Sequence, residues 1–228
     1  MKTKVILIAL LALLLSGCVV VPVNLSYESA RMLDKGQIQL QGSYARYNAV
    51  KDTSANLCNN FGFAAGYGVS EKYSIGIRYE HLDMSPAFGN IFDSEDLEDF
   101  SQITKMNYIE VNNRIRIKED FIAIGIPAGM YLVNEVTETA EDFNSWGYFF
   151  IDPRIYFTFF AKTDIFELSI VPKVHIIAGF LGAQFIPGIS LGIGLSSDLD
   201  RWAIRPEIGY DKYLSFGVGV NFNINTVK

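Results

Sequence analysis

From Gln37 onward, apolar and polar residues alternate with a period of two, the mark of strands whose two faces meet different surroundings. The stretch 213–224 shows it most clearly. Leu214, Phe216, Val218, Val220 and Phe222 fall on one side, with Ser215, Gly217, Gly219, Asn221 and Asn223 on the other. Tyr73, Ile75, Ile77 and Tyr79 oppose Ser74, Gly76, Arg78 and Glu80 in the same way. Carried along the chain, the pattern predicts ten strands, near 37–49, 57–69, 72–83, 104–117, 120–133, 147–161, 164–178, 186–196, 201–210 and 213–224. Most are long for a globular strand and match a tilted membrane strand of about 9–11 residues plus its rims. Pro127, Pro153, Pro172 and Pro206 fall inside them, and proline removes a ladder donor. Those strands are expected to be bulged; otherwise the count falls to eight.

The same parity sorts the charges. Arg78, Glu80, Glu110, Arg114, Arg116, Asp152, Arg154, Glu167, Lys173, Arg205 and Glu207 share one face, six bases with five acids. Ile109, Val111, Ile115, Ile155, Phe157, Leu168, Ile170, Ile204 and Ile208 occupy the other. A charge in hydrocarbon costs roughly 2–4 kcal/mol near the midplane, so the charged face should line a lumen and the apolar face should meet lipid. A soluble barrel would invert this arrangement. Tyr131, Trp146, Tyr148 and Tyr210 at one rim, and Tyr73, Phe121, Phe160 and Trp202 at the other, read as aromatic girdles. At eight to ten strands the interior is about wide enough for side chains to fill, so the inward bases and acids are expected to pair across it.

The connections point the same way. "SEK", "KED", "KTD" and "SDLD" are short, while 50–56, 84–103, 134–146 and 179–185 are longer, and only the last, around Asp211-Lys212, is tight. Such alternation is expected of an even-stranded transmembrane barrel with short periplasmic turns and long outer loops, which puts both barrel ends in the periplasm.

Ahead of this pattern, Val5–Leu15 is an apolar run too short to span a bilayer, preceded by Lys2 and Lys4, as in a secretory signal. Leu15-Ser16-Gly17-Cys18 resembles the bacterial lipobox. That resemblance implies cleavage before Cys18, a diacylglyceryl thioether on its sulfur and an acylated amine. Val19, in place of an aspartate, implies transport onward to the outer membrane. The expected organisation is a lipoprotein signal peptide at 1–17, a lipidated linker at 18–35, the barrel at 36–224 and a tail at 225–228.

The whole pattern resembles small bacterial outer-membrane barrels of the OmpA and OmpX type. The last strand is similar to the assembly signal of that class, with Ser215, Gly217, Val220 and Phe222 in the polar, glycine, apolar and aromatic places. The resemblance implies the barrel-assembly machinery as a partner, and outer-membrane lipids and lipopolysaccharide as surroundings. One departure is that "NINTVK" follows Phe222, where the class usually ends on the aromatic residue.

Removing Lys2 and Lys4 leaves 17 bases against 25 acids, and the net charge falls from −6 to −8. That balance excludes nucleic acid as a partner. With the Cys18 sulfur taken by the thioether, Cys58 has no intramolecular partner and is expected to pack within or near a strand. His175 faces the lumen beside Lys173 and Glu167, and neither it nor His81 lies in a serine-hydrolase motif. No catalytic or metal site and no cofactor is expected. "DSEDLED" (93–99) fails the EF-hand spacing, yet with Glu135, Glu138, Glu141 and Asp142 it forms an acidic crown suited to weak binding of divalent cations. The resulting expectation is a lipid-anchored, non-enzymatic barrel with a closed lumen, in envelope structure or surface interaction. The alternatives are a narrow pore lined by inward glycines, and a lipid-modifying enzyme using His175.

Overall fold

The computed structural model describes residues 23–48, 56–84, 103–136, 147–160, 165–179 and 182–226. Cys18, Trp146, the stretch 93–99 and most of 134–146 lie outside the described residues. Twelve strand segments run in chain order: β1 (Gln37–Asn48), β2 (Asn56–Ser70), β3 (Tyr73–Met84), β4 (Ile103–Lys118), β5 (Ile122–Gly125), β6 (Ala128–Val136), β7 (Gly147–Ile151), β8 (Arg154–Phe159), β9 (Phe166–Gly179), β10 (Gly182–Leu195), β11 (Trp202–Tyr210) and β12 (Leu214–Asn225). Every pairing is antiparallel, and β12 returns to pair with β1 from Gln37↔Asn225 to Asn48↔Leu214, which closes the ring. Closure removes the sheet edges whose unpaired backbone groups neither water nor lipid could tolerate cheaply.

The twelve segments form ten strands. β4 pairs with β5 near Ile115 and with β6 near Ile109, and β9 pairs likewise with β8 and β7. The breaks fall at Ile126-Pro127 and Asp152-Pro153, two of the four prolines in doubt. Backbone bonds carry the ladder across them, with Asp152 N–H donating to the Pro127 carbonyl at 2.9 Å and Ile126 N–H to that of Asn113 at 3.0 Å. Side-chain alternation continues unbroken through both breaks, since Tyr148, Phe150, Asp152, Arg154, Tyr156 and Thr158 are all buried. Pro172 and Pro206 stay in register opposite Ile189 and Val218.

On the outside lies a continuous apolar belt, including Phe63, Ile77, Ile109, Ile204 and Phe222, with Phe63 and Ile77 73% and 63% exposed. On the inside the charged residues are buried. This is the inverse of a soluble barrel and the arrangement of a transmembrane one.

Four expectations change. β9 and β10 are separated by only residues 180 and 181, so 179–185 is mostly strand. β12 runs to Asn225, so the strand continues beyond the expected boundary. Tyr131 and Tyr148 turn inward and are nearly fully buried, so they belong to the lumen and not to a girdle, whereas Tyr210 is exposed at the rim as expected. The fourth change is the largest: residues 23–34, expected to fall in a linker outside the barrel, pass through its interior.

Candidate functional site

The segment Val23–Asp34, here called the strap, occupies the lumen. Val23, Asn24, Leu25, Ser26, Tyr27, Ser29, Ala30, Met32 and Leu33 are all at least nine-tenths buried. The strap forms no ladder with any strand, and side chains of the wall take the place of a ladder as partners for many of its backbone groups. Val23 N–H donates to Tyr131 Oη and Asn24 N–H to Tyr47 Oη, each at 3.0 Å. Ser26 and Tyr27 N–H groups both donate to the Glu207 carboxylate, the first at 3.1 Å. Ala30 N–H donates to Thr158 Oγ1 at 2.7 Å. The Asn24 carbonyl accepts from Lys173, those of Ser29 and Arg31 from Arg114, and that of Met32 from Arg116.

Much of the lumen charge network is therefore turned toward the strap. Glu28 pairs with Arg114 at 3.3 Å and accepts from Tyr156 at 2.7 Å and Asn112 at 3.1 Å. Arg31 reaches Glu167 at 3.4 Å, and Glu167 also pairs with Arg205. The rest pair locally: Arg78 with Glu80, and Arg154 with both Asp152 at 2.7 Å and Glu110 at 3.0 Å. All twelve lumen residues singled out from the sequence lie on the inner face; Arg116, near one mouth, is partly exposed and the others are buried. Their pairing runs along one strand, between neighbouring strands, to the strap, or over a single intervening strand, as Arg154–Glu110 passes β5 and β6 and Arg205–Glu167 passes β10.

Toward the long-loop end the lumen becomes apolar. Val23, Leu25 and Tyr27 join Tyr47, Leu57, Leu82, Met106, Tyr108, Tyr131, Phe150 and Ile177 in one cluster. Tyr108 stacks on Phe150 at 4.7 Å and meets Tyr131 edge-on at 5.0 Å. Cys58 is a free thiol packed into the same cluster.

Inward glycines make room for the strap. A Cβ at Gly219 would lie 2.6 Å from Tyr27 Cβ, one at Gly217 2.7 Å from Leu25 Cδ1, and one at Gly209 2.6 Å from Asn24 Nδ2. Tyr27 has a left-handed φ of 55°, a conformation costing a non-glycine residue about 1–2 kcal/mol. It is held there by its N–H on Glu207 and by Asn221 Nδ2 donating to its carbonyl at 3.1 Å. The cavity left beside Glu28, Arg78 and Arg114 measures 30 Å³, room for about two or three water molecules, and a larger one of 190 Å³ lies at the mouth beside Arg31, Asp34 and Arg116.

His175 lies 3.4 Å from Asp152 and 3.7 Å from Asp211, buried beneath the strap. Asp211, in the β11–β12 connection, has its carboxyl pushed up from the ordinary range by burial, against the pull of His175. His81 bonds Asn107 at 3.0 Å at the barrel wall. Within the last strand Ser215 points inward, Gly217 meets the strap, Val220 is half-buried and Phe222 stands in the apolar belt.

No family model and no curated protein matches the chain. Among solved structures it is similar to Ail, the attachment invasion locus protein of Yersinia pestis, at 11% identity and a TM-score of 0.36, covering 83% of this chain and 99% of that one. It is similar to the N-terminal β-barrel domain of OprF from Pseudomonas aeruginosa at 10% identity and 0.36, covering 83% and 98%. It is similar to the translocator domain of the autotransporter NalP from Neisseria meningitidis at 8% identity and 0.40, covering 82% and 87%.

Proposed function

We propose that this chain is a bacterial outer-membrane lipoprotein barrel whose own N-terminal segment seals its lumen, serving a non-enzymatic role in envelope structure or surface interaction. The observation that carries the reading is the strap: twelve residues run the length of the bore, leaving a cavity of 30 Å³ beside Glu28 at mid-lumen and one of 190 Å³ at the mouth around Arg31 and Asp34. Ten strands enclose more room than side chains alone would fill, and the strap takes up the excess. The apolar belt supports outer-membrane lipids and lipopolysaccharide as the surroundings. The pattern of Ser215, Gly217, Val220 and Phe222 supports handling by the barrel-assembly machinery.

The structure also gives a reason to prefer this over an enzyme or a pore. His175 sits between two carboxylates and under the strap, where a lipid substrate would have to displace packed chain to reach it. Inward glycines on the second, eighth and tenth expected strands suggested a passage. Of these, Gly217 and Gly219 rest against Leu25 and Tyr27, Gly66 against Leu33 and Gly188 against Asn24, while Gly62, Gly192 and Gly194 are covered by wall side chains. Purified full-length protein in planar lipid bilayers is expected to give no steady ion-conducting steps. Sustained unitary conductance from the intact chain would overturn the sealed-barrel reading.

A further inference from the structure

The strap has a direction. At one end of the barrel Asp34 meets the start of β1, where Gln37 N–H donates to its carbonyl at 2.9 Å and Gly36 turns the chain with a φ of 80°. Three strands then report the path. Along β4, Met32 contacts Arg116, Ser29 contacts Arg114 and Glu28 contacts Asn112. Along β11, Tyr27 and Ser26 contact Glu207 and Asn24 lies against Gly209. Along β12, Tyr27 lies against Asn221 and Gly219, and Leu25 against Gly217. Each series rises from the end that carries Gly36 toward the end that carries the long connections 85–102 and 137–146.

The strap's N-terminal end is close to that far rim. Asn24 N–H bonds Tyr47, one residue short of the end of β1, and Asn24 packs on Gly209, one residue short of the end of β11. The connection from β11 to β12 there is only three residues, so the rim is low on this side.

We propose that the chain upstream of Val23 leaves through the long-loop mouth, so that acyl chains on Cys18 anchor in the outer leaflet of the outer membrane and not in the periplasmic one. The inference rests on Cys18 being lipidated and on the long loops facing outward. Chain length decides between the two exits. Five residue steps separate Cys18 from Val23, about 17 Å when extended. That is less than half of the strap's own twelve residues, so it cannot double back to the opposite mouth. The path back is also narrow at mid-lumen, where the cavity beside Glu28 and Arg114 is 30 Å³ and a diacylglyceryl group could not pass, and it widens to 190 Å³ only at the mouth around Arg31 and Asp34. The strap would thus carry the N-terminus across the membrane inside the protein's own barrel.

The test uses the full-length protein in cells with two separate single-cysteine additions, Val21→Cys and Glu71→Cys; Glu71 is exposed at the end of the barrel where β1 begins. Buried Cys58 serves as an internal blank. A membrane-impermeant maleimide is applied before and after outer-membrane permeabilisation, and the labelled peptide is located by mass. Val21→Cys is expected to label equally in both, a ratio near one, and Glu71→Cys only after permeabilisation. Labelling of Val21→Cys only after permeabilisation, or only after denaturation, overturns the proposal. The same spectra report whether Cys18 carries its acyl groups. A bare Cys18 with an outward Val21→Cys refutes the lipid while leaving the exit route standing.

Discussion

Glu207 offers the most direct perturbation of the strap. Its carboxylate accepts the backbone N–H groups of both Ser26 and Tyr27, at a site where all three residues are buried. Hydrogen bonds to a charged group contribute about 1.5–3 kcal/mol each, and Glu207→Ala also leaves two buried donors unpaired. The substitution is therefore expected to cost the docked strap about 3–5 kcal/mol, or two to three and a half powers of ten in its release equilibrium. Glu207→Gln keeps one carbonyl oxygen and should cost about half as much. The assay is hydrogen exchange of the Ser26 and Tyr27 amides in the folded protein in vesicles, with β-strand amides as the internal reference. Strap exchange should accelerate by roughly a hundredfold or more in Glu207→Ala, and intermittent conductance should appear in planar bilayers. If strap exchange is unchanged in a barrel that is otherwise folded, the carboxylate does not hold the strap and the reasoning fails.

Three further outcomes test other parts of the structure. Gly219→Val places a side chain against Tyr27 Cβ and should destabilise the docked strap by about 1–3 kcal/mol, read by the same exchange experiment, whereas Gly42→Ala, with nothing within 4 Å, should be silent. Arg154→Met leaves the buried carboxylates of Asp152 and Glu110 without their shared partner, so urea unfolding from vesicles should show a loss of about 3–5 kcal/mol. Ile77→Arg, in the middle of the apolar belt, should cost about 2–4 kcal/mol in the same assay and Tyr210→Arg at the rim about 0–1, and equal costs would contradict a hydrocarbon layer around the belt.

The strands, their parity and the identity of the inward charges were legible because a barrel wall separates two solvents, and alternation records that separation residue by residue. The prolines divide: Pro127 and Pro153 interrupt strands without shifting the inside–outside pattern, while Pro172 and Pro206, also expected in bulged strands, stay in register. The strap was harder to see because both of its faces are buried. Val23, Leu25 and Tyr27 do alternate with Asn24, Ser26 and Glu28, but this marks the two sides of a lumen and no ladder accompanies it. The charge count held no hint of it: six inward bases faced five acids, and the strap adds one of each, Glu28 on Arg114 and Arg31 on Glu167. One signal was nevertheless present. Gly209, Gly217 and Gly219 left more inward space than neighbouring side chains could use, and that space holds Asn24, Leu25 and Tyr27. The inward turn of Tyr131 and Tyr148 was missed because position at a strand end was weighed above parity.

The strap also bears on how the barrel closes. The last pairing to form in a ring of sequential hairpins is that of the first strand with the last, here β1 with β12. Tyr27 bridges this seam. Its hydroxyl donates to the Tyr44 carbonyl of β1 at 3.1 Å, its carbonyl accepts from Asn221 of β12, and its ring rests where Gly219 lacks a side chain. A short turn ties the strap to β1, so whatever binds the strap to β12 also brings the seam together. If Cys18 is acylated and leaves by the long-loop mouth, its lipid could not be drawn afterwards past the 30 Å³ gap at mid-lumen, and the wall would have to close around a strap already in place. Tyr27→Ala removes roughly 3 kcal/mol of seam contact, and with about half of it formed in the transition state closure should slow about tenfold. Folding into vesicles, followed by the gel-mobility shift of the closed barrel, measures this. A Tyr27→Ala chain that closes at the wild-type rate would mean that the strap docks after the seam has formed.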